Sequence, residues 1–317
     1  MSDVLVTGAS GFVGSYVVPA LLARGHAVVA LVRSAEAGER VLGRLGDGRA
    51  AVELRTGDIT DAASLRAAFA GVDAVVHLVA LPRDHDGGAS LRLVNTEGTR
   101  NVVVAMGDAG VRRLVHLGAL GVADDPRLHY ASSKAKAESL VAASELDWTI
   151  VKPSLLWGER DGFFNVIAGL VRMSPGVVPV PGDGGSQFQP LSVVDLATVL
   201  ALCVERPETI GRTYEIGGPR VWTYREITRE VTGAMGARRA IVPMPVALIS
   251  LVAGTSELLR IPFPVATDQL RQLSLDNVAE TDAVERSFGF RPADMAGQLG
   301  YLRRKPRDQD RVTASTP

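Results

Sequence analysis

The sequence predicts an α/β protein: a doubly wound parallel sheet of about seven strands with a small, mostly helical C-terminal lobe. Three observations carry that prediction. Val4 to Val6 is a short apolar run of the kind a strand buried on both faces needs. Gly8, Gly11 and Gly14 follow it, and apolar residues then recur at Val13, Val17, Leu21 and Leu22, the repeat of a helix with one buried face. Apolar strand-length runs alternate with helical stretches through the first half of the chain, as the crossovers of a parallel sheet require.

The first strand, turn and helix have the physical logic of a phosphate site. Gly8 lets the chain turn sharply, Gly11 lets the backbone approach a pyrophosphate, and Gly14 lets the helix pack close to the sheet. The helix N-terminus then offers free N–H groups and the positive end of its dipole. The spacing is G-x-x-G-x-x-G preceded by Thr7, not G-x-G-x-x-G. It resembles the short-chain dehydrogenase/reductase superfamily, in its extended and atypical, epimerase/dehydratase-like branches. The resemblance implies a Rossmann-type fold and a nicotinamide dinucleotide on Thr7, Gly8, Ser10, Gly11, Phe12, Val13 and Gly14.

Composition narrows the class. The chain has 317 residues, 46% hydrophobic and 22% charged, which suits a soluble globular protein with a large core. A net charge of −1 supplies no basic field to recruit nucleic acid. The single cysteine, Cys203, lies in an apolar run and reads as a buried thiol in a reducing cytoplasm. The chain enters its first strand at once, without a signal-peptide pattern. Its most apolar stretch, Ile241 to Ala253, is too short to span a bilayer and is broken by Pro243 and Pro245. No metal-ligand spacing and no internal repeat occurs.

The second strand, Ala27 to Val32, ends at Arg33 and Ser34. In this fold the tip faces the adenosine ribose, where an acid binds a 2′-hydroxyl and an arginine accommodates a 2′-phosphate. With no acid at the tip, Arg33 favours NADP(H) over NAD(H). Strand three, Val52 to Arg55, leads into T-G-D-I-T-D. The resemblance places Asp58 near the adenine amino group beside Ile59, whereas Asp61 or Thr60 reads as the N-cap of a helix from Ala62 to Phe69. Strand four, Ala74 to Val79, gives H-L-V-A, and the resemblance lines the cofactor with the backbone of Leu78, Val79 and Ala80. His77 reads as a packed histidine. Arg83 to Gly88 reads as a mobile loop beside the cleft. V-N-T-E-G-T-R-N-V opens a long helix, and its Asn95 is expected to tie that helix to strand four.

After strand five, Arg113 to Leu117, comes H-Y-A-S-S-K-A-K-A-E. Tyr130 and Lys134 stand at i, i+4 on one helical face. A tyrosine hydroxyl titrates near ~10 and is inert at neutral pH unless a cation stabilises its phenolate. An ammonium at about 4 Å supplies roughly 4 kcal/mol at an effective dielectric of ~20, so Lys134 is expected to lower the Tyr130 pKa. By resemblance Tyr130 is the proton donor or base, Lys134 anchors the nicotinamide ribose, and Leu117 borders the cofactor. The superfamily usually places a Ser or Thr at the end of strand five; here stand Gly118 and Ala119, with Ser132 or Ser133 as possible substitutes.

Strand six, Trp148 to Val151, precedes K-P-S-L-L-W-G, where Lys152, Pro153 and Ser154 match the segment leading to the substrate lobe. Ser174 to Pro190, rich in Pro and Gly, reads as a loop over the site. F-Q-P-L-S-V-V-D-L-A at Phe188 to Ala197, Y-E-I-G-G-P at Tyr214 to Pro219, and the run Asp268 to Val278 resemble the branch of the accessory NADPH-binding subunit of respiratory complex I. The resemblance spans Val4 to about Arg303. It divides the chain into a cofactor domain (1–155 with segments near 188–218), a substrate lobe (156–187 and 219–303) and a polar tail (304–317) carrying Arg304, Lys305 and Arg307. Val246 to Leu259 reads as an apolar helix covering the lobe, or docking on a membrane or partner.

Three functions follow from these residues. The first is an NADP(H)-dependent oxidoreductase acting on a carbonyl, quinone-like or hydroxyl small molecule in the crevice beyond the strand ends, as a monomer or homodimer. The second, favoured by Gly118 and Ala119, is an NADPH-binding redox sensor or accessory subunit without turnover. The third is a nucleotide-sugar epimerase or dehydratase, disfavoured because the lobe shows no clear basic cluster for a diphosphate.

Overall fold

The computed structural model describes residues 1–84, 86–174, 176–245, 247 and 276–303. All but residue 247 of the expected helix over 246–259, most of the 268–278 run and the tail beyond 303 lie outside the described residues. The chain divides into two units, Met1–Pro153 with Val193–Glu215, and Ser154–Ser192 with Ile216–Pro317.

The first unit is the doubly wound sheet. In chain order its elements are β1 (Asp3–Thr7), α1 (Gly14–Ala23), β2 (Ala27–Val32), α2 (Ala35–Leu42), β3 (Val52–Thr56), α3 (Ala62–Ala68) and β4 (Ala74–His77). There follow α4 (Ala89–Leu91), α5 (Gly98–Ala109), β5 (Arg113–Leu117), α6 (His129–Ala142) and β6 (Asp147–Pro153). After the second unit's first segment, this unit resumes with α8 (Val193–Glu205) and β11 (Arg212–Ile216). The sheet order is β11-β6-β5-β4-β1-β2-β3, and the pairings from β1 to β6 are all parallel. The order reverses between β1 and β4, the place where such sheets open a ligand crevice at the carboxyl ends of their strands. One face packs Leu5, Val75 and Leu114 against Phe69, Val102 and Met106 of the covering segments.

Local chemistry sets the element ends. Ser34 caps α2 by accepting from the Ala37 N–H at 3.2 Å, and Asp61, not Thr60, caps α3 by accepting from Ala63 at 3.1 Å. Strand four stops at His77, two residues short of expectation. There the Leu78 N–H turns to the hydroxyl (3.2 Å) and carbonyl (3.3 Å) of Thr7, ending the ladder. A π-helical turn, Arg92–Glu97, joins α4 to α5 and carries Asn95. The Asn95 side chain accepts from the Leu81 N–H (2.7 Å) and donates to the Leu81 carbonyl (3.1 Å) and Ser133 Oγ (3.0 Å). It ties the helix to the segment after β4 rather than to the strand itself, and to α6 as well.

Among the described residues, the second unit contains α7 (Phe164–Met173), α9 (Tyr224–Ala234) and α10 (Ala283–Phe288) with three two-stranded ladders. The ladders pair β7 (Leu156–Trp157) with β10 (Leu191–Ser192), β9 (Gln187–Phe188) with β12 (Trp222–Thr223), and β8 (Val177–Pro181) with β13 (Ala240–Met244). The reading of 174–190 as a loop is therefore corrected. Val178 and Val180 are buried within β8, and its two prolines are tolerated because β8 has a partner on one side only. A core of Trp157, Phe164, Phe188, Trp222, Tyr224 and Leu299 holds this unit, and a capping box between Thr223 and Glu226 starts α9. Among the described residues, no helix is long and apolar enough to cross a membrane.

Candidate active site

The glycine turn leaves β1 at Gly8, whose φ is +72° and where a Cβ would stand 3.2 Å from the Val79 nitrogen. At Gly14 a Cβ would stand 2.3 Å from the Gly8 carbonyl oxygen, so the helix seats directly on the turn's backbone. Gly11 is freer, its nearest neighbour being the Gly8 oxygen at 3.1 Å. The amides of Phe12 and Val13 have no acceptor among the described residues, and no side chain caps α1. Unspent N–H groups at a helix start beside a cradle that admits only glycine fit the pyrophosphate of a dinucleotide.

The other residues expected around the cofactor divide into exposed and spent groups. Arg33 is exposed at the tip of β2 and makes no hydrogen bond or ion pair among the described residues. The Ser10 carbonyl accepts from Arg44 Nη1 at 2.9 Å, a cation beside the turn that the sequence reading passed over. Thr7 has no exposed surface, and its hydroxyl lies 2.7 Å from His77 Nδ1, so its side chain braces the turn from below. The Ser34 hydroxyl is taken by its N-cap. Asp58 Oδ1 accepts from the Thr60 N–H and hydroxyl, both at 2.8 Å, so this carboxylate also shapes its own loop. Ile59 is buried in the core, and Leu78, Val79 and Ala80 are half-buried. Ser154 falls in the second unit, where its hydroxyl donates to the Asn277 carbonyl at 2.7 Å.

His77 is held neutral. It is 1% exposed, lies 3.1 Å from the Thr99 hydroxyl and stacks on His116 at 5.3 Å; burial first, and Lys134 second, push its pKa down to about 3. Neither ring nitrogen of His116 has a partner among the described residues. The loop after β4 is tied rather than loose. Asp84 Oδ1 accepts from the Gly88 N–H at 2.7 Å while its Oδ2 meets His129 Nδ1 at 2.5 Å.

Helix α6 brings Tyr130 and Lys134 to the carboxyl end of β5. Lys134 is 3% exposed and donates from Nζ to the Leu117 carbonyl at 2.6 Å; burial lowers its pKa to about 8. The Tyr130 hydroxyl makes no hydrogen bond among the described residues. Burial and then the Glu138 charge push its pKa up to about 12, which reverses the downward shift expected from Lys134. Folding withdraws the phenol from water, which disfavours its anion, and the Glu138 carboxylate on the same helix face adds to this. The serines offered as substitutes for the missing hydroxyl are also engaged. Ser132 donates to Asp124, and Ser133 donates to the Tyr130 carbonyl at 2.8 Å.

Glu138 is the functional candidate that sequence reading missed. It follows Tyr130 and Lys134 at i+8 and i+4, and that spacing was the available signal. Its Oε1 accepts from the Ala119 N–H at 3.1 Å, and its Oε2 lies 3.5 Å from Lys152 Nζ, which in turn lies 3.0 Å from Glu215. A Cβ on Gly118 would stand 2.5 Å from Glu138 Oε1, so the carboxylate fills the place where a strand-five hydroxyl was expected. Burial raises the Glu138 pKa, while against its own burial the Glu215 and Glu138 carboxylates hold Lys152 above the ordinary value. Lys152 thus serves this pair, and Pro153 closes β6 beside it.

One expectation about the second unit is also corrected. A basic cluster does exist there: Arg225 and Arg229 of α9 share a concavity with Arg238 and Arg239. Only the return of the chain into β13 brings them together.

A sequence-family model described as NAD(P)H-binding matches residues 8–173, more than half of the chain, and the chain belongs to that family. It is 26% identical to the mitochondrial NADH dehydrogenase [ubiquinone] 1 alpha subcomplex subunit 9 of Arabidopsis thaliana, over 92% of this chain and 73% of that one. It is 30% identical to the 2-alkyl-3-oxoalkanoate reductase of Stenotrophomonas maltophilia, over 74% of this chain and 76% of that one. Among solved structures it resembles the dTDP-glucose 4,6-dehydratase DesIV of Streptomyces venezuelae with NAD bound, at a TM-score of 0.70 and 25% identity, covering 95% of this chain and 96% of that one. The chain is thus an NAD(P)H-binding protein of an oxidoreductase-type family.

Proposed function

We propose that the chain is an NADPH-dependent reductase of a carbonyl or quinone-like small molecule. The observation that carries this reading is Lys134, buried and fixed to the Leu117 carbonyl at the strand ends, with Tyr130 one turn earlier on the same helix. The nicotinamide, when bound, supplies the hydride; the chain's residues hold the cofactor and supply the proton. Arg33 and the amides of Phe12 and Val13 hold the phosphates. Tyr130, with a pKa near 12, stays protonated at neutral pH, and a neutral phenol is the form that donates as a carbonyl is reduced. Lys134 carries positive charge up to about pH 8 and offsets the phenolate left behind. The similarity to a 2-alkyl-3-oxoalkanoate reductase supports this reading.

A second reading has its own observation. Glu138 fills the strand-five position and opposes ionisation of Tyr130, which suits an NADPH-binding subunit without turnover; the complex I relative points the same way. NADPH oxidation against a panel of quinones and carbonyls separates the two, with wild type and Tyr130→Phe side by side. The reductase reading expects turnover that falls ~10²–10⁴-fold in the variant, with NADPH affinity unchanged. Equal rates in both proteins remove Tyr130 from the chemistry. Tight NADPH binding with no turnover in either establishes the second reading.

A further inference from the structure

The second unit carries a concavity of about 630 Å³, the size of a small-molecule site. Arg225, Arg229, Thr232 and Gly233 line it from one face of α9, and Arg238 and Arg239 line it from the segment entering β13. Among the described residues none of the four guanidinium groups has a carboxylate within ion-pair distance. Arg225 donates Nε (3.1 Å) and Nη2 (2.6 Å) to the neutral carbonyl of Asp183, which fixes its fork in place. Arg239 donates Nη1 to the Arg238 carbonyl at 3.0 Å, and its Nε is buried with no partner.

Three carboxylates of this unit accept hydrogen bonds from other groups, and Glu226 also senses the Arg229 charge without reaching ion-pair distance. Asp183 Oδ1 accepts from the Gly185 N–H at 2.8 Å, Glu226 accepts from Thr223 in the capping box, and Glu230 accepts from the Gly297 N–H at 2.8 Å. Like charges at i, i+4 on a helix are unfavourable, and four cations in one hollow focus a positive field. Such an arrangement lowers its energy when it receives a compact anion of high charge. The planar fork of arginine matches phosphate oxygens two at a time.

We propose that this concavity binds a soluble small molecule through adjacent phosphate groups. It is built wholly from the second unit, so it shares no residue with the glycine turn. The test is calorimetric titration of the full chain with inorganic pyrophosphate, in a Gly11→Val background that removes the glycine turn as a competing site. Binding should be measurable and should weaken as salt rises. Arg229→Ala and Arg238→Ala should each weaken it ~10–100-fold, the range for one charge-assisted pair. Gly233→Glu sets a carboxylate among the arginines where a side chain meets open space, and it should abolish binding with an unchanged melting temperature. The same substitutions in an otherwise wild-type chain should leave NADPH affinity intact, which separates this site from the cofactor reading. Absence of pyrophosphate binding, or equal binding by wild type and all three variants, overturns the proposal. So does retention only on vesicles of one-third phosphatidylglycerol in phosphatidylcholine, which would make the ligand a lipid surface.

Discussion

Arg33 and Glu138 show how much a single side chain decides here. Arg33 stands exposed at the tip of β2 with its fork uncommitted. Its charge-assisted bonds to a 2′-phosphate are worth roughly 1.5–3 kcal/mol. NADPH should therefore bind ~10–100-fold more tightly than NADH, and Arg33→Ala should erase most of the difference. Equal affinities in the wild type would refute this. Glu138 acts as a positioning residue through its neighbours. Glu138→Gln keeps an acceptor for the Ala119 N–H but removes the charge that raises both Tyr130 and Lys134. The alkaline fall in turnover, expected near pH 8 as Lys134 loses its proton, should move to lower pH in this variant. A pH profile superimposable on the wild type would leave Glu138 a structural role only.

At the scale of elements, the end of β5 is decided by what α6 lays against it. Replacing the missing hydroxyl looks equally possible at Gly118 and Ala119 on sequence grounds. The packing separates them. A side chain at Gly118 collides with Glu138 Oε1 and with Lys152 Cγ, 2.9 Å from the added Cβ. Gly118→Ser should cost ~1–3 kcal/mol as the ion pair is pushed aside. Ala119→Ser, at a half-buried position, should leave the unfolding free energy within about 0.5 kcal/mol of the wild type. Denaturation curves for the two variants decide the point, and equal midpoints would show that Glu138 yields at no cost.

For the whole molecule, the stacked histidines between β4 and β5 make folding sensitive to acid. His77 is held near 3 in the folded chain, against about 6.5 when unfolded. Between those values the unfolded chain binds the extra proton, so stability rises with pH and is lost as pH falls below about 6.5. At pH 5 this single group costs about 2 kcal/mol. His116 shifts in the same direction, again by burial first. His116→Leu removes two unpartnered ring nitrogens, so it should hold or raise stability at pH 7 and flatten the loss between pH 7 and 5. Urea midpoints at the two pH values test this; an unchanged slope would mean that the pair does not titrate in this range.

The sequence by itself determined the parallel sheet, because each strand buried on both faces must be a short apolar run and each crossover an amphipathic helix. It determined the glycine turn too, since a left-handed φ at Gly8 and a backbone contact at Gly14 leave no other residue type. The Tyr130–Lys134 pair was legible from helical period alone. Tertiary structure decided what lies beside these groups. That Thr7 is spent on His77 depends on the register of β1 with β4, which pairs the two residues. That Tyr130 is raised rather than lowered depends first on its burial and then on the charge of Glu138, which reaches across to Ala119. The arginine-lined hollow joins residues fourteen apart that no local pattern connects. Backbone conformation is written in neighbouring residues, whereas charge balance depends on groups brought close only by folding.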